Sequence, residues 1–226
     1  MKEFINPINT VDPVIFTLHD NKLKILLLLR DKEPFIKTYT LPGGYVHANE
    51  GQDSNLEDTV KRVLMEKTGA KAPYFEQLST FGSSKRDPRG WSISVSYISL
   101  ISWDKLSEYD FKDNTLWVNI EDLEKYNLGF DHKDIINQAL KRIRDKVNYS
   151  ILPIHLLPSK FTQTDLQKVY ELVLGTKLDK SAFRKKINAL DFLEDTGERD
   201  ANVPFRPPVL FKVKESSLQC FRSNFI

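Results

Sequence analysis

The sequence predicts a mixed α/β (α+β) domain over residues 1–149, followed over residues 150–226 by the helix pair and two strands of a winged helix-turn-helix. Three observations carry this reading. Residues 14–120 hold short apolar runs, alternating or continuous, with one helix-period segment among them. Residues 133–147 form a second amphipathic pattern with period near 3.6. After Tyr149 the character changes, and a proline-bearing connector leads into two helical segments and two short strand-like runs.

The elements follow in order. Val14-Ile-Phe-Thr-Leu18 and Leu23-Lys-Ile-Leu-Leu-Leu-Leu29 flank Asp20-Asn21 and predict a β-hairpin. Leu41-Pro-Gly-Gly44 is a turn. Ser54 to Thr68 repeats Leu56, Val60, Val63, Leu64 and Lys67 at helical spacing and stops at Gly69. Tyr74–Phe81 and Trp91–Ile101 read as strands around the polar loop 82–90, and Leu116–Ile120 as another. Lys133–Val147 places Ile135, Ile136, Ala139, Leu140, Ile143 and Val147 on one side. The connector is Ile151-Leu-Pro-Ile-His-Leu-Leu-Pro158. Thr162 is a good N-cap for a helix over Gln163–Val173 that ends at Gly175, and Asp179 for one over Lys180–Leu190. Asp191–Asp195 and Val209–Val213 are the closing strands, with Gly197 and Pro204 in the loop between them. The domain boundary is placed near residue 150.

Composition narrows the class. The chain has 226 residues, 40% hydrophobic and 28% charged, an ordinary globular balance. The longest apolar run, Ile25–Leu29, falls far short of the ~20 residues of a spanning helix. The N-terminus lacks a signal-peptide core, and Cys220 is the only cysteine. A cytoplasmic protein without a membrane partner is expected. The net charge of +2 is uninformative, but its distribution is not. Residues 151–226 carry 12 Lys+Arg against 9 Asp+Glu. Lys177, Lys180, Arg184, Lys185 and Lys186 crowd the second helix, the position that reads the major groove in a helix-turn-helix. Lys180, Ser181, Arg184 and Lys185 fall opposite Phe183, Ile187 and Leu190 and are the candidates to reach DNA. A solvated helix face has the same composition. Thr162, Gln163 and Thr164 sit where a helix N-terminus attracts phosphate. Arg206 in the wing suits the minor groove or the backbone.

The stretch from Leu41-Pro-Gly-Gly-Tyr-Val-His47 to Glu66-Lys-Thr-Gly-Ala70 resembles the box of the Nudix pyrophosphate hydrolases, Gly-x5-Glu-x7-Arg-Glu-U-x-Glu-Glu-x-Gly-U with U apolar. Arg62 to Ala70 match its last nine places. In the family the three Glu positions of that segment ligate magnesium, and here they are Val63, Glu66 and Lys67. These positions share one helix face, and a single carboxylate between a valine and an ammonium is a poor seat for a cation that wants several oxygens. Glu66 also stands four residues from Arg62, where a plain ion pair forms. Glu50 and Arg62 are separated by eleven residues instead of seven, so an insertion lies around Asn49-Glu-Gly-Gln-Asp53. No catalytic residue, metal or cofactor is expected, and no His/Cys/Asp cluster has zinc spacing.

As a whole the chain resembles the Nudix-related transcriptional regulators, the NrtR group. The resemblance rests on Leu41-Pro-Gly-Gly44, Thr80-Phe-Gly with Arg86-Asp-Pro-Arg-Gly90, Ser94-Val-Ser-Tyr97 and Leu128–Ile135. In the second part it rests on Tyr170–Gly175, Leu178–Lys186, Arg206-Pro-Pro and Leu210-Phe-Lys212. It implies a homodimer that binds double-stranded operator DNA and senses a small molecule in the Nudix-like domain. Some members respond to ADP-ribose and regulate NAD metabolism. A sugar-responsive branch, AraR, responds to L-arabinose, and the damaged box points to that branch. The expectation is a repressor that releases its operator on binding a pentose, L-arabinose first, through Glu50, Arg86, Asp87, Arg89 and Asp131. Other readings of these residues stay open. The 86–89 loop is also what a solvated turn around Pro88 looks like, and Asp131 is equally a cap for the helix at Lys133. The alternatives are a magnesium-dependent ADP-ribose hydrolase, an ADP-ribose-sensing repressor, and a winged helix that binds protein instead of DNA.

Overall fold

Asp20 and Asn21 both have positive φ, 52° and 58°, the backbone of a two-residue hairpin turn whose twist suits the strands it joins. They connect β1 (Ile8–His19) to β2 (Lys22–Leu29), paired antiparallel from Phe16↔Ile25 to His19↔Lys22. The computed structural model describes residues 6–47, 51, 53–69, 74–106, 109, 111, 113–201 and 206–215. Glu50, most of the 49–53 insertion, Pro204 and Cys220 lie outside them.

β1 is the central strand. Short β3 (Tyr39–Thr40) joins β2, and β4 (Gly44–Tyr45) joins β1. β5 (Tyr74–Ser83) pairs antiparallel with β6 (Ser92–Leu100), which runs parallel to β1 from Ile8↔Ser92 to Phe16↔Leu100. After the short helix α2 (Trp103–Leu106), β7 (Thr115–Asn119) pairs with β2. The path through the sheet is β3-β2-β1-β6-β5.

Successive strand residues face opposite sides, and both sides here are covered. Val11, Ile15, Leu26 and Tyr97 pack with Val60 and Leu64 of helix α1 (Leu56–Thr68). Val14, Phe16, Ile25, Leu27, Ile98 and Leu100 pack with Ile135, Ile136, Ala139 and Ile143 of helix α3 (His132–Val147). Burial on two faces explains why Ile25, Leu26 and Leu27 read as a continuous apolar run with no alternation. Helix α1 starts where Asn55 accepts from the Asp58 N–H at 2.8 Å and stops at Gly69 in the left-handed conformation.

The second part has the expected order. Helix α4 (Gln163–Leu174) opens on a capping box between Thr162 and Asp165 and ends at Gly175. Helix α5 (Lys180–Leu190) is capped by Asp179, which accepts from Ala182 N–H at 2.7 Å. β8 (Leu193–Arg199) and β9 (Val209–Val213) form the antiparallel wing, and Phe161 bridges to Phe211. A Nudix-like domain is therefore followed by a winged helix.

The connector is not an exposed linker. Residues 152–156 form a 3-10 turn, and Ile151, Leu152, Ile154, Leu156 and Leu157 are 3–8% exposed. They carry the apolar cluster under α3 onward into Leu166, Val169, Tyr170, Phe183, Ile187 and Phe192. The boundary expected near residue 150 falls inside that continuous cluster. No helix among the described residues is long and apolar enough to cross a membrane.

Candidate functional site

A cleft of about 810 Å³ opens where β1–β4, the C-terminal half of α1, the 86–89 loop and the start of α3 converge. Its floor is polar and buried. Asp12 lies in β1 and is 5% exposed; it accepts hydrogen bonds from Thr10 Oγ1 at 3.1 Å and from Ser94 Oγ. Arg86 donates from Nε and Nη2 to the two oxygens of Asp131, each at 2.9 Å, and from Nη1 to Ser92 Oγ at 3.1 Å. Its Nη2 stands 3.7 Å from Asp12 Oδ2. The serines on one side of β6 are thus buried by design of this network: Ser92, Ser94 and Ser96 are each 0% exposed, where a strand core would be apolar. His132 Nδ1 accepts from the Leu41 N–H at 2.9 Å, so the ring uses its lone pair on the chain entering the box. Burial pushes its pKa down, which keeps the imidazole neutral.

The predicted effector residues divide. Arg86 lines the cleft but is 7% exposed, with each guanidinium nitrogen bonded to Asp131 or Ser92, so it builds the floor. Asp131 lies behind it. It occupies the N-cap position of α3 but makes no side-chain cap bond, because Arg86 takes the carboxylate. The capping alternative is therefore corrected. Asp87 is 2% exposed; it accepts from the Arg89 N–H at 3.0 Å, Nε at 2.9 Å and Nη2 at 2.6 Å. Burial works to raise the Asp87 pKa, but its bonds to Arg89 lower it overall. Arg89, so held, reaches the cleft and donates to the Tyr45 hydroxyl. The loop is a built wall and not a solvated turn.

The box region is organised by a residue the sequence did not single out for this. Asp53, with its side chain 1% exposed, takes Arg62 in a two-point bond at 2.9 and 2.7 Å and accepts the His47 N–H at 2.8 Å. Arg62 also donates to the Tyr45 carbonyl at 2.7 Å and to Glu66 at 3.2 Å. The Arg62 bond holds the Asp53 carboxyl well below the usual range. Glu66 is thus the partner of Arg62, as its spacing implied.

At the three box positions of α1 the described side chains do not gather a set of carboxylates. Val63 is fully buried, and its methyl group comes within 2.7 Å of where a Cβ on Gly44 would lie, so this position is packed against the box turn. Glu66 is engaged, and Lys67 faces the cleft as a cation. Among the described residues no group of three His, Cys, Asp or Glu is placed to hold a metal ion.

The winged helix presents a second candidate surface. Phe183 and Ile187 of α5 are buried, and Lys180, Ser181, Arg184 and Lys185 are exposed. Tyr170 meets Phe183 ring to ring at 5.4 Å and donates to the Ser150 carbonyl at 3.2 Å. The turn is braced by Gln167, donating to the Leu178 carbonyl, and by Glu171, accepting from Leu178 N–H. Thr162 serves as the helix cap. It is 5% exposed, and its hydroxyl is committed to the capping box. Gln163 bonds Asn188 of α5 at 2.8 Å, whereas Thr164 and Arg206 are exposed.

Sequence reasoning missed Asp12 and Tyr45 as parts of the site, and named Asp53 only within the 49–53 insertion and not as the partner of Arg62. An acid inside the apolar run Val11-Asp-Pro-Val14 was a visible signal for Asp12. Asp53 had none, since its partner is fixed only by folding.

A family model described as the NrtR DNA-binding winged helix domain matches residues 153–213. The chain is 38% identical over 224 residues to the ADPR responsive transcriptional repressor NtrR of Acinetobacter baylyi, covering 99% of this chain and 87% of that protein. Among solved structures, Shewanella oneidensis NrtR complexed with a 27mer DNA is 38% identical with a TM-score of 0.84, covering 94% of this chain and 96% of that one. The NUDIX domain of the same bacterium's NrtR, complexed with ADP ribose, is 40% identical with a TM-score of 0.55, covering 62% of this chain and 90% of that one.

Proposed function

This chain belongs to the NrtR family of Nudix-related transcriptional regulators, and from that premise we propose that it is a repressor whose effector is ADP-ribose. The cleft is the observation that carries the effector. Its volume, about 810 Å³, lies in the range that takes a ligand of many atoms, whereas a pentose would fill a small part of it. The sugar-responsive branch expected from the damaged box draws no support from the relatives, which respond to or hold ADP-ribose. In this proposal residues 150–226 bind operator DNA as part of a homodimer, with Lys180, Ser181, Arg184, Lys185, Thr164 and Arg206 nearest the duplex. Residues 1–149 hold the effector between the Tyr45/Arg89 wall and the end of α1.

We also read the domain as a sensor without hydrolysis, since the buried Val63 and the cationic Lys67 replace two metal-binding carboxylates. Coupling has a physical route. Helix α3 begins at the cleft with His132 and ends against the winged helix, where Arg144 Nε donates to the Val173 carbonyl at 3.1 Å. The test is operator titration at fixed salt with each ligand. ADP-ribose should release the duplex at micromolar concentration and L-arabinose should do nothing at millimolar concentration. Magnesium should add no release of AMP above background. Release by arabinose alone would overturn the effector, and steady magnesium-dependent AMP formation would overturn the sensor reading.

A further inference from the structure

We propose that the Lys67 ammonium stands in for the missing magnesium, so that the cleft binds a pyrophosphate group without any metal. The inference rests on the ADP-ribose reading and adds how the ligand's charge is met. A diphosphate brought into a cleft must have its negative charge compensated, because burying an uncompensated ion is costly. In a Nudix hydrolase the compensation is a dication on the helix face that here carries positions 63, 66 and 67.

The cations available at that spot can be sorted by what already holds them. Arg62 is committed to Asp53, Glu66 and the Tyr45 carbonyl. Arg86 is committed to Asp131 and Ser92, and Arg89 to Asp87 and Tyr45. Arg30 donates to the Pro34 carbonyl at 2.8 Å and lies over the Phe130 ring. Lys67 is different. It lies half-buried in the last turn of α1, lines the cleft, and has no ion pair among the described residues. Its neighbour Glu66 does not neutralise it, because Arg62 holds that carboxylate at 3.2 Å. Lys32, the other cleft cation with no ion pair among the described residues, is exposed at the rim beside Asp31 and Glu33, which line the same edge. Lys67 is therefore the cation placed where the metal face was, with its charge unspent. A flexible stem with three donors suits it to a phosphate as a point charge.

The test is calorimetry on the full chain with ADP-ribose and with inorganic pyrophosphate, each in EDTA and in magnesium. Wild-type affinity should be the same in both media. Lys67→Met keeps the apolar stem and should lose about tenfold or more in affinity for both ligands, as removal of a charge-assisted bond does. Lys67→Glu should bind poorly in EDTA and recover in magnesium, since it sets a second carboxylate beside Glu66. Far-UV circular dichroism checks that both variants fold. A wild-type protein that needs magnesium, or a Lys67→Met variant that binds as well as wild type, would overturn this inference and leave ADP-ribose as effector. Lys67-dependent binding of pyrophosphate with no binding of ADP-ribose would uphold it and sink the effector instead. Binding of neither ligand would sink both.

Discussion

Gly43 shows how closely the site is specified by single residues. A Cβ there would stand 2.0 Å from Asp12 Oδ1, so the box turn needs glycine to let a buried carboxylate approach. The Leu41-Pro-Gly-Gly44 string was legible as a turn, but the reason for its glycine was not, because Asp12 comes from another strand. Charge at the residue scale also sets a pH dependence. His155 stacks on Tyr74 with ring centroids 4.7 Å apart, and burial pushes its pKa down to about 4. The folded state therefore holds this ring neutral while the unfolded chain protonates it near 6.5. Its stabilising share is complete above pH 6.5 and is lost as pH falls toward 4. His132, lowered by burial, acts in the same direction. Melting temperature should drop over that window, and His155→Phe, which keeps the stacked ring, should flatten the drop. An unchanged slope in the variant would show that His155 titrates no differently in the two states.

Helices and their ends were the most legible elements, since caps and apolar period are local. Asp179 and Thr162 cap the helices they were expected to cap, and Gly69 and Gly175 stop theirs. What could not be read is what joins distant segments. Arg86 and Asp131 are 45 residues apart and Asp12 and Ser94 are 82 apart, and neither pair leaves a periodic trace. Thr162 carries two readings for a related reason. A cap hydroxyl near a helix N-terminus is read equally well as a phosphate ligand until the partner Asp165 closes the box. For α5 the sequence and the structure agree on the sides, with Phe183 and Ile187 inward and Arg184 exposed. Arg184→Ala should leave the melting temperature unchanged and weaken operator binding. Loss of a bidentate guanine contact costs ~1–3 kcal/mol of discrimination, whereas loss of a phosphate contact weakens every duplex and lowers the salt slope by about one. Equal affinity of variant and wild type for specific and random duplex would show that α5 is not the reader.

At the scale of the molecule the decisive feature is that two architectures share one apolar cluster. The connector after Tyr149 was legible in the sequence but its burial was not, because an apolar segment with prolines has no regular period to report it. Its side chains fill the space between α3 and α4, with Ile154 5% and Leu156 3% exposed. Tyr170, fully buried, ties α4 back to the Ser150 carbonyl. Separate domains linked by an exposed tether unfold independently, but parts that bury each other's apolar surface lose that burial together. The protein should therefore melt in one transition. Trp91, Trp103 and Trp117 all lie in the Nudix-like part, so tryptophan fluorescence follows that part alone. Temperature-dependent loss of duplex binding follows the winged helix. The two midpoints should coincide, and ADP-ribose should raise the fluorescence midpoint in free protein by its binding free energy. A winged helix that loses the duplex many degrees before the fluorescence changes would mean that the shared cluster does not couple the halves, and α3 would then have no rigid frame through which to carry a signal.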